Sequence, residues 1–239
     1  MSNLGSALRI LAKDRINNIG MINFIQNYGV LSVDIIGNSA LVKGISDRRW
    51  VYISCRDHND LSGMKNKLGK DDTSFAVIDE WMIPDLTEGR KILWDLITEQ
   101  YYLPDDVQIP SCEYKTITLS AKDTDTVYSS SDYKEYISPE YVTDRIKRGV
   151  SAGIYEEGKL VSWGITQDDG AIGFLHTIDI YRRKGYARSI TLSIIEALRK
   201  QRKLPFAYVK PGNQMSADLL LKLGFKKNKT IHWFEIADT

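Results

Sequence analysis

Cysteine is scarce in this sequence: Cys55 and Cys112 are the two present among 239 residues. They are too few for a disulfide framework and too few for a zinc site, so the reading is of two reduced thiols in a cytoplasmic protein. Histidine is nearly as rare, and His58 and His232 show no metal-ligand spacing, so no metal is expected. No stretch approaches the roughly 20 apolar residues that span a bilayer. The start, Met1-Ser2-Asn3-Leu4-Gly5, lacks the charged and apolar regions of a secretory leader. Also missing are tandem repeats and low-complexity tracts. What remains is ordinary: 43% hydrophobic and 26% charged residues, the composition of a soluble globular chain.

The net charge of +1 hides an asymmetry, because Gly170–Thr239 carries 13 Lys/Arg against 5 Asp/Glu. A basic C-terminal part suits nucleic acid, a membrane surface or a small polyanion such as a nucleotide. Recognition motifs for nucleic acid are absent, and no basic stretch is interleaved with stacking aromatics. The runs Arg199–Lys203 and Lys226–Lys229 read as solvated surface. Neither nucleic acid nor a membrane is therefore expected as a partner; the oligomeric state is left open.

Periodicity predicts a helix over Leu4–Tyr28, strands at Val30–Ile36, Ala40–Ile45 and Trp50–Cys55, and a short polar helix at 57–68. A strand at Phe75–Ile78 and a helix at 86–101 complete an N-terminal part. Leu103–Pro110 reads as a linker, giving domains 1–110 and 111–239. The second begins with a strand at 113–119 and a polar loop at 123–131. Ser138-Pro139-Glu140 then opens a helix, with proline at its first position and an acidic first turn. Turn-linked strands follow at 151–155, 160–166 and 171–180. After them come a helix at 187–202, a strand at 206–209, a helix at 214–223 and a strand at 231–236.

The richest stretch is Arg182-Arg183-Lys184-Gly185-Tyr186-Ala187-Arg188, which leaves a strand and opens a helix. Small residues let the backbone approach a ligand, and the first N–H groups of a helix, at the positive end of its dipole, form an anion site. Arg182-x-x-Gly185-x-Ala187 matches the Gln/Arg-x-x-Gly-x-Gly/Ala signature of the GCN5-related N-acetyltransferase (GNAT) superfamily. Asn213-Gln214-Met215-Ser216, followed by Leu223-Gly224-Phe225, resembles a second element of that family. Val161-Ser162-Trp163 and Tyr181-Arg182 look like the subgroup of glycine N-acyltransferases and related FR47-like bacterial proteins. The resemblance covers about 113–236.

It implies an α/β (α+β) fold with a mixed, mostly antiparallel central sheet flanked by helices. A smaller N-terminal α/β domain, compatible with a degenerate GNAT-like half, would precede it. It also implies acetyl-CoA, or another acyl-CoA, as cosubstrate, and a small-molecule amine or amino acid as acceptor. By transfer from the family, the backbone of Leu175, His176 and Thr177 meets the pantetheine arm. The amides of Arg183, Lys184, Gly185, Tyr186, Ala187 and Arg188 hold the pyrophosphate. Asn213 and Ser216 lie by the pantetheine, Asn213 doubling as a helix N-cap.

The catalytic positions depart from the family: Ala171 stands where many members have a glutamate, and Leu220 where many have a tyrosine. His176 is the substitute base, since histidine titrates near neutrality. Asp168 and Asp169 sit in the adjacent turn, where they could act through water or attract a cationic substrate, but they read as a solvated turn. Tyr155, Tyr186 and Tyr208 are candidate acids, and Trp163 reads as core packing. The two missing groups motivate a competing expectation, a non-catalytic CoA-binding or regulatory module.

Overall fold

The computed structural model describes residues 3–131 and 133–237. They divide into two compact units. Unit 1 comprises Met1–Gln100 with Val209–Gln214 and Lys227–Thr239; unit 2 comprises Tyr101–Tyr208 with Met215–Lys226. Among the described residues, no helix is long and apolar enough to cross a membrane.

Unit 1 opens with α1 (Asn3–Ala12) and α2 (Ile19–Asn27), where periodicity predicts one helix. The break at 13–18 has a local cause. Asn18 turns its amide back onto Leu11 O at 3.2 Å, and Asn17 donates to Asp14 at 2.8 Å. Such side chains compete with the helical ladder for backbone and neighbour alike. Strands β1 (Gly29–Ile36), β2 (Ser39–Ile45) and β3 (Arg49–Ser54) form an antiparallel meander. Helix α3 (His58–Lys65) leads to β4 (Ser74–Asp79), which lies parallel to β3.

The helix expected at 86–101 is not there. Helix α4 covers only Ile83–Thr87, and Gly89 turns the chain with φ of 70°. Residues Ile92–Tyr102 form β5 instead. Trp94, Leu96, Thr98 and Gln100 are the more buried alternate positions, a period of two that suits β-branched and aromatic residues.

In unit 2, the strand expected at 113–119 reduces to one bridge, Ile117 to Gly153. The expected loop at 123–131 contains a short helix, α5 (Thr124–Ser129), started by a reciprocal Ser120–Asp123 cap. Helix α6 (Pro139–Arg148) begins where the sequence signals it, with Ser138 accepting from Tyr141 N–H at 3.2 Å. Strands β6 (Ser151–Glu156), β7 (Lys159–Thr166) and β8 (Ile172–Thr177) repeat the meander. Helix α7 (Tyr186–Lys200) connects to β9 (Phe206–Val209), parallel to β8, and α8 (Gln214–Lys222) follows.

The last strand, β10 (Lys226–Ile236), supplies unit 1 with an antiparallel neighbour for β4, Phe234 lying opposite Phe75. Their rings stack at 4.8 Å in a core with Leu41, Leu61 and Ile78. Strand order is thus β1-β2-β3-β4-β10-β5 in unit 1 and β6-β7-β8-β9 in unit 2. Each unit has two helices, a three-stranded meander, a helix and a parallel strand in the same sequence order. In unit 2, Leu119, Val142, Ile146, Trp163 and Ile165 pack on one sheet face. Ile190 and Ile194 of α7 approach Gly164 on the other, where a Cβ would meet them at 2.9 and 3.0 Å.

Unit 1 also buries a charge cluster. Asp72, fully enclosed, meets Lys43 of β2 at 2.6 Å and Arg49 of β3 at 2.8 Å. Burial alone would raise its carboxyl, but the Lys43 and Gly69 hydrogen bonds, with Arg49, hold it below the usual range. Asp72→Asn should therefore destabilise the protein by roughly 3–5 kcal/mol, because Lys43 is left buried without its counter-charge. A depressed carboxylate stabilises above its unfolded value and loses that contribution as pH falls through the folded one. The gap between wild type and variant in urea unfolding should thus narrow on acidification below about 4.

Candidate functional site

Strand β8 leaves the sheet through a tight turn at Asp179–Tyr181 and reaches α7 by way of Arg182–Gly185. Arg183 and Gly185 both adopt positive φ, 64° and 85°. Glycine takes the second at no steric cost, and left-handed residues in such a turn gather successive N–H groups into a concavity that suits anions. Arg182, Arg183, Lys184 and Gly185 are exposed. The first helical bond runs from Ser189 N–H to Gly185 O, so Tyr186, Ala187 and Arg188 have no intrahelical acceptor for their N–H groups. Gly185 offers no capping side chain, and the first turn of α7 carries no acid.

The cations around this turn are not equivalent. Arg182 is committed inward, to Asp179 at 2.8 Å and Thr177 O at 3.1 Å. The Lys184 ammonium lies over the Tyr181 ring at 5.1 Å. Tyr186, a candidate acid, donates its hydroxyl to Glu156 at 2.5 Å, and that hydrogen bond and burial push it up to about 12. It holds its proton at neutral pH. Besides Asp179, the exposed carboxylate of Glu113 stands at the turn: a Cβ on Gly185 would meet Glu113 Oε2 at 3.4 Å. Glu113 is placed there because its segment runs along α7, Thr116 Oγ1 meeting Ser193 Oγ at 2.7 Å.

The strand before the turn has one committed edge and one open edge. Toward β7 it pairs at Ile172, Gly173, His176 and Thr177; toward β9 it pairs only at Ile172, opposite Ala207. A positive φ of 50° at Phe174 interrupts the regular pleat just beyond that point. Ile178 N–H bonds Val161 O on β7. Since edges alternate along a strand, the peptide groups of Leu175 and Thr177 face the other way. The His176 ring lies flat on Trp163, centroids 4.7 Å apart, half-buried. Trp163 is core, as its strand position predicts.

Asp168 and Asp169 are not a solvated turn. Both are buried, and Asp169 is fully enclosed. Tyr141 donates to Asp168 Oδ1 at 3.2 Å, and Ala171 N–H donates to Asp169 Oδ1 at 3.0 Å. Arg145 of α6, also buried, bonds Gln167 O at 3.2 Å and Asp144 at 2.7 Å. Burial, then the Asp168 charge, push the Asp169 carboxyl up to about 7, against the opposing pull of Ala171 N–H, the Tyr208 hydroxyl and Arg145. Asp169 Oδ2 is buried with no hydrogen-bond partner. An Asp-Asp-Gly hairpin reads as exposed in sequence, because the groups that cover it come from α6 and β9.

The remaining positions divide by unit. Ser216 lies in the first turn of α8, in unit 2; Asn213, exposed, precedes that helix in a segment of unit 1. Ala171 and Leu220, at the positions where many members of the resembled family have a glutamate and a tyrosine, are buried apolar core. Tyr155 is raised by burial and by Asp123 and keeps its proton. Among the described residues, no group of three or more His, Cys, Asp or Glu side chains could hold a metal ion.

Comparison with known proteins agrees with this architecture. Residues 150–234 match the FR47-like protein family. No curated protein matches the sequence. A Drosophila protein of known structure superposes with a TM-score of 0.81 at 15% identity, covering 100% of this chain and 97% of that one. A tandem GNAT protein from the clavulanic acid biosynthesis pathway gives 0.56 at 12%, covering 98% and 94%. A GCN5-related N-acetyltransferase from Kribbella flavida gives 0.56 at 13%, covering 92% and 94%. These likenesses establish a fold. The chain has the fold of these GNAT proteins, and its residues 150–234 match the FR47-like family model.

Proposed function

We propose that unit 2 binds an acyl-CoA, acetyl-CoA in the simplest case, and transfers its acyl group to the amine of a small molecule or amino acid. The observation that carries this is the uncapped, acid-free start of α7 at the end of a strand with one open edge. The amides of Arg183–Arg188 would hold the diphosphate, with Lys184 and Arg188 adding charge. The peptide groups of Leu175 and Thr177 would pair with the amides of the pantetheine arm, and Ser216 is assigned to the same arm by family resemblance.

Bound acyl-CoA would supply an activated thioester, whose thiol leaves readily at a pKa near 8.5. The chain must take a proton from the incoming ammonium. His176 is the proposed base. A second reading assigns that role to the Asp168–Asp169 pair, favoured by the Asp169 carboxyl standing near 7. Ala171 and Leu220 keep the non-catalytic module as the rival of both. Thiol release from acetyl-CoA with a panel of amines would exclude that rival.

Titration with CoA tests the core of the proposal; no binding at near-millimolar concentration would end it. Gly185→Glu places a carboxylate among the anion-binding amides at a left-handed position, and should weaken CoA at least roughly tenfold without unfolding the protein. Glu113→Gln removes a like charge from the same turn. It should strengthen CoA about two- to fivefold at low salt, the gain vanishing near 1 M, where screening reaches about 3 Å.

For Asp169, a raised folded value means that the protonated form is the one burial tolerates. Its contribution is fully present below the unfolded value near 3.9 and lost as pH rises through about 7. Asp169→Asn should flatten the pH dependence of unfolding over that window. Loss of the neutral-pH limb of the rate profile in the same variant would assign the base to the pair. Its retention, with loss in His176→Gln, would assign it to His176.

A further inference from the structure

Unit 1 contains the same strand arrangement with a different consequence. Strands β3 and β4 are parallel and paired only at Val51 and Phe75; beyond that point Val77 has a φ of 56°. Past this junction lies a cavity of about 640 Å³, within the range of small-molecule sites. Its walls come from the α1–α2 turn, the ends of β3 and β4, and the first half of β10.

This cavity is not built for a nucleotide. Helix α3, which follows β3, is capped by Asp57, whose carboxylate takes Asp60 N–H at 2.9 Å, and Asp60 adds a second acid to the first turn. A diphosphate at that helix end would face two carboxylates. The cavity walls are acceptor-rich. Asp14, Asp79 and Glu80 line it against Arg56 and Lys229, and Lys229 is already spent on Asp79 at 2.5 Å. Asn228 commits its amide hydrogens to Asn17 Oδ1 at 2.8 Å and Gln100 Oε1 at 2.7 Å, leaving its carbonyl oxygen to offer. Asn18 spends an N–H on Leu11 O at 3.2 Å. Tyr52 and Trp81 complete the lining.

We infer that this cavity is a binding site for a small zwitterion of the amino-acid class. Asp14 and Glu80, with the amide oxygens, receive the ammonium. The Arg56 guanidinium at the exposed rim takes the carboxylate. The inference does not rest on acyl transfer in unit 2, and either can fail alone.

Equilibrium dialysis of the full chain against individual L-amino acids, their methyl esters and their N-acetyl derivatives tests it. At least one free amino acid should bind saturably below roughly 10 mM, about tenfold tighter than its ester, which lacks the carboxylate, or its N-acetyl form, which lacks the ammonium. Arg56→Gln and Glu80→Gln, both at exposed positions, should each weaken it about tenfold. Arg56→Gln should also erase the preference for acid over ester. Gly185→Glu should leave the binding unchanged. The inference is overturned by an absence of saturable binding, by esters and N-acetyl forms binding as well as their parents, by the unit 1 variants behaving as wild type, or by loss of binding in Gly185→Glu.

Discussion

A strand that parts from its neighbour must find other partners for the peptide groups along that edge, and this requirement organises both units. In unit 2, β8 and β9 are joined at Ile172 and Ala207 and then separate; in unit 1, β3 and β4 are joined at Val51 and Phe75 and do the same. An open edge inside a folded unit is costly unless something else satisfies it. A ligand is one answer, and the helix that follows the open strand selects its charge. Gly185 starts α7 with bare amides, whereas Asp57 starts α3 with a carboxylate already bound to them. The two helices thus begin with opposite polarity through the identity of a single capping residue.

The buried pair at Asp168–Asp169 shows a different economy. Two adjacent carboxylates in a dry hairpin cannot both ionise freely, so one is held near the proton it gains at neutral pH. Arg145 lies close, bonded to Asp144 and Gln167 O, and its charge pulls the Asp169 carboxyl back down. The pair sits beside Ala171, where many members of the resembled family carry a glutamate.

Local signals made much of unit 2 legible. Ser138-Pro139 located α6, the two turns after β6 and β7 located the meander, and the small residues at 185 and 187 located the start of α7. Where the sequence misled, long-range contacts decided the outcome. The polar tripeptide at 168–170 looked solvated because Arg145 and Tyr141, which cover it, lie more than a turn of sequence away. Residues 92–102 looked helical by composition, yet their alternate burial is that of a strand set by its neighbours. The split between α1 and α2 depended on Asn17 and Asn18 turning their side chains back on the chain. Glu113 lay outside any motif, and only its alignment along α7 brings it to the anion turn. The cavity in unit 1 had no sequence signature, since five separate segments build it.

The placement of β10 has a consequence for biosynthesis. Strand β4 lies in the first hundred residues, yet the strand that pairs with it, and whose Phe234 stacks on Phe75, is made more than a hundred residues later. At roughly 5–20 residues per second, the early unit waits on the order of ten seconds with an unsatisfied edge and half of an aromatic pair. Throughout that interval the nascent chain presents a template for pairing with the wrong strand. Completion of the unit 1 sheet therefore waits on a strand that follows β5 through α8 in the chain.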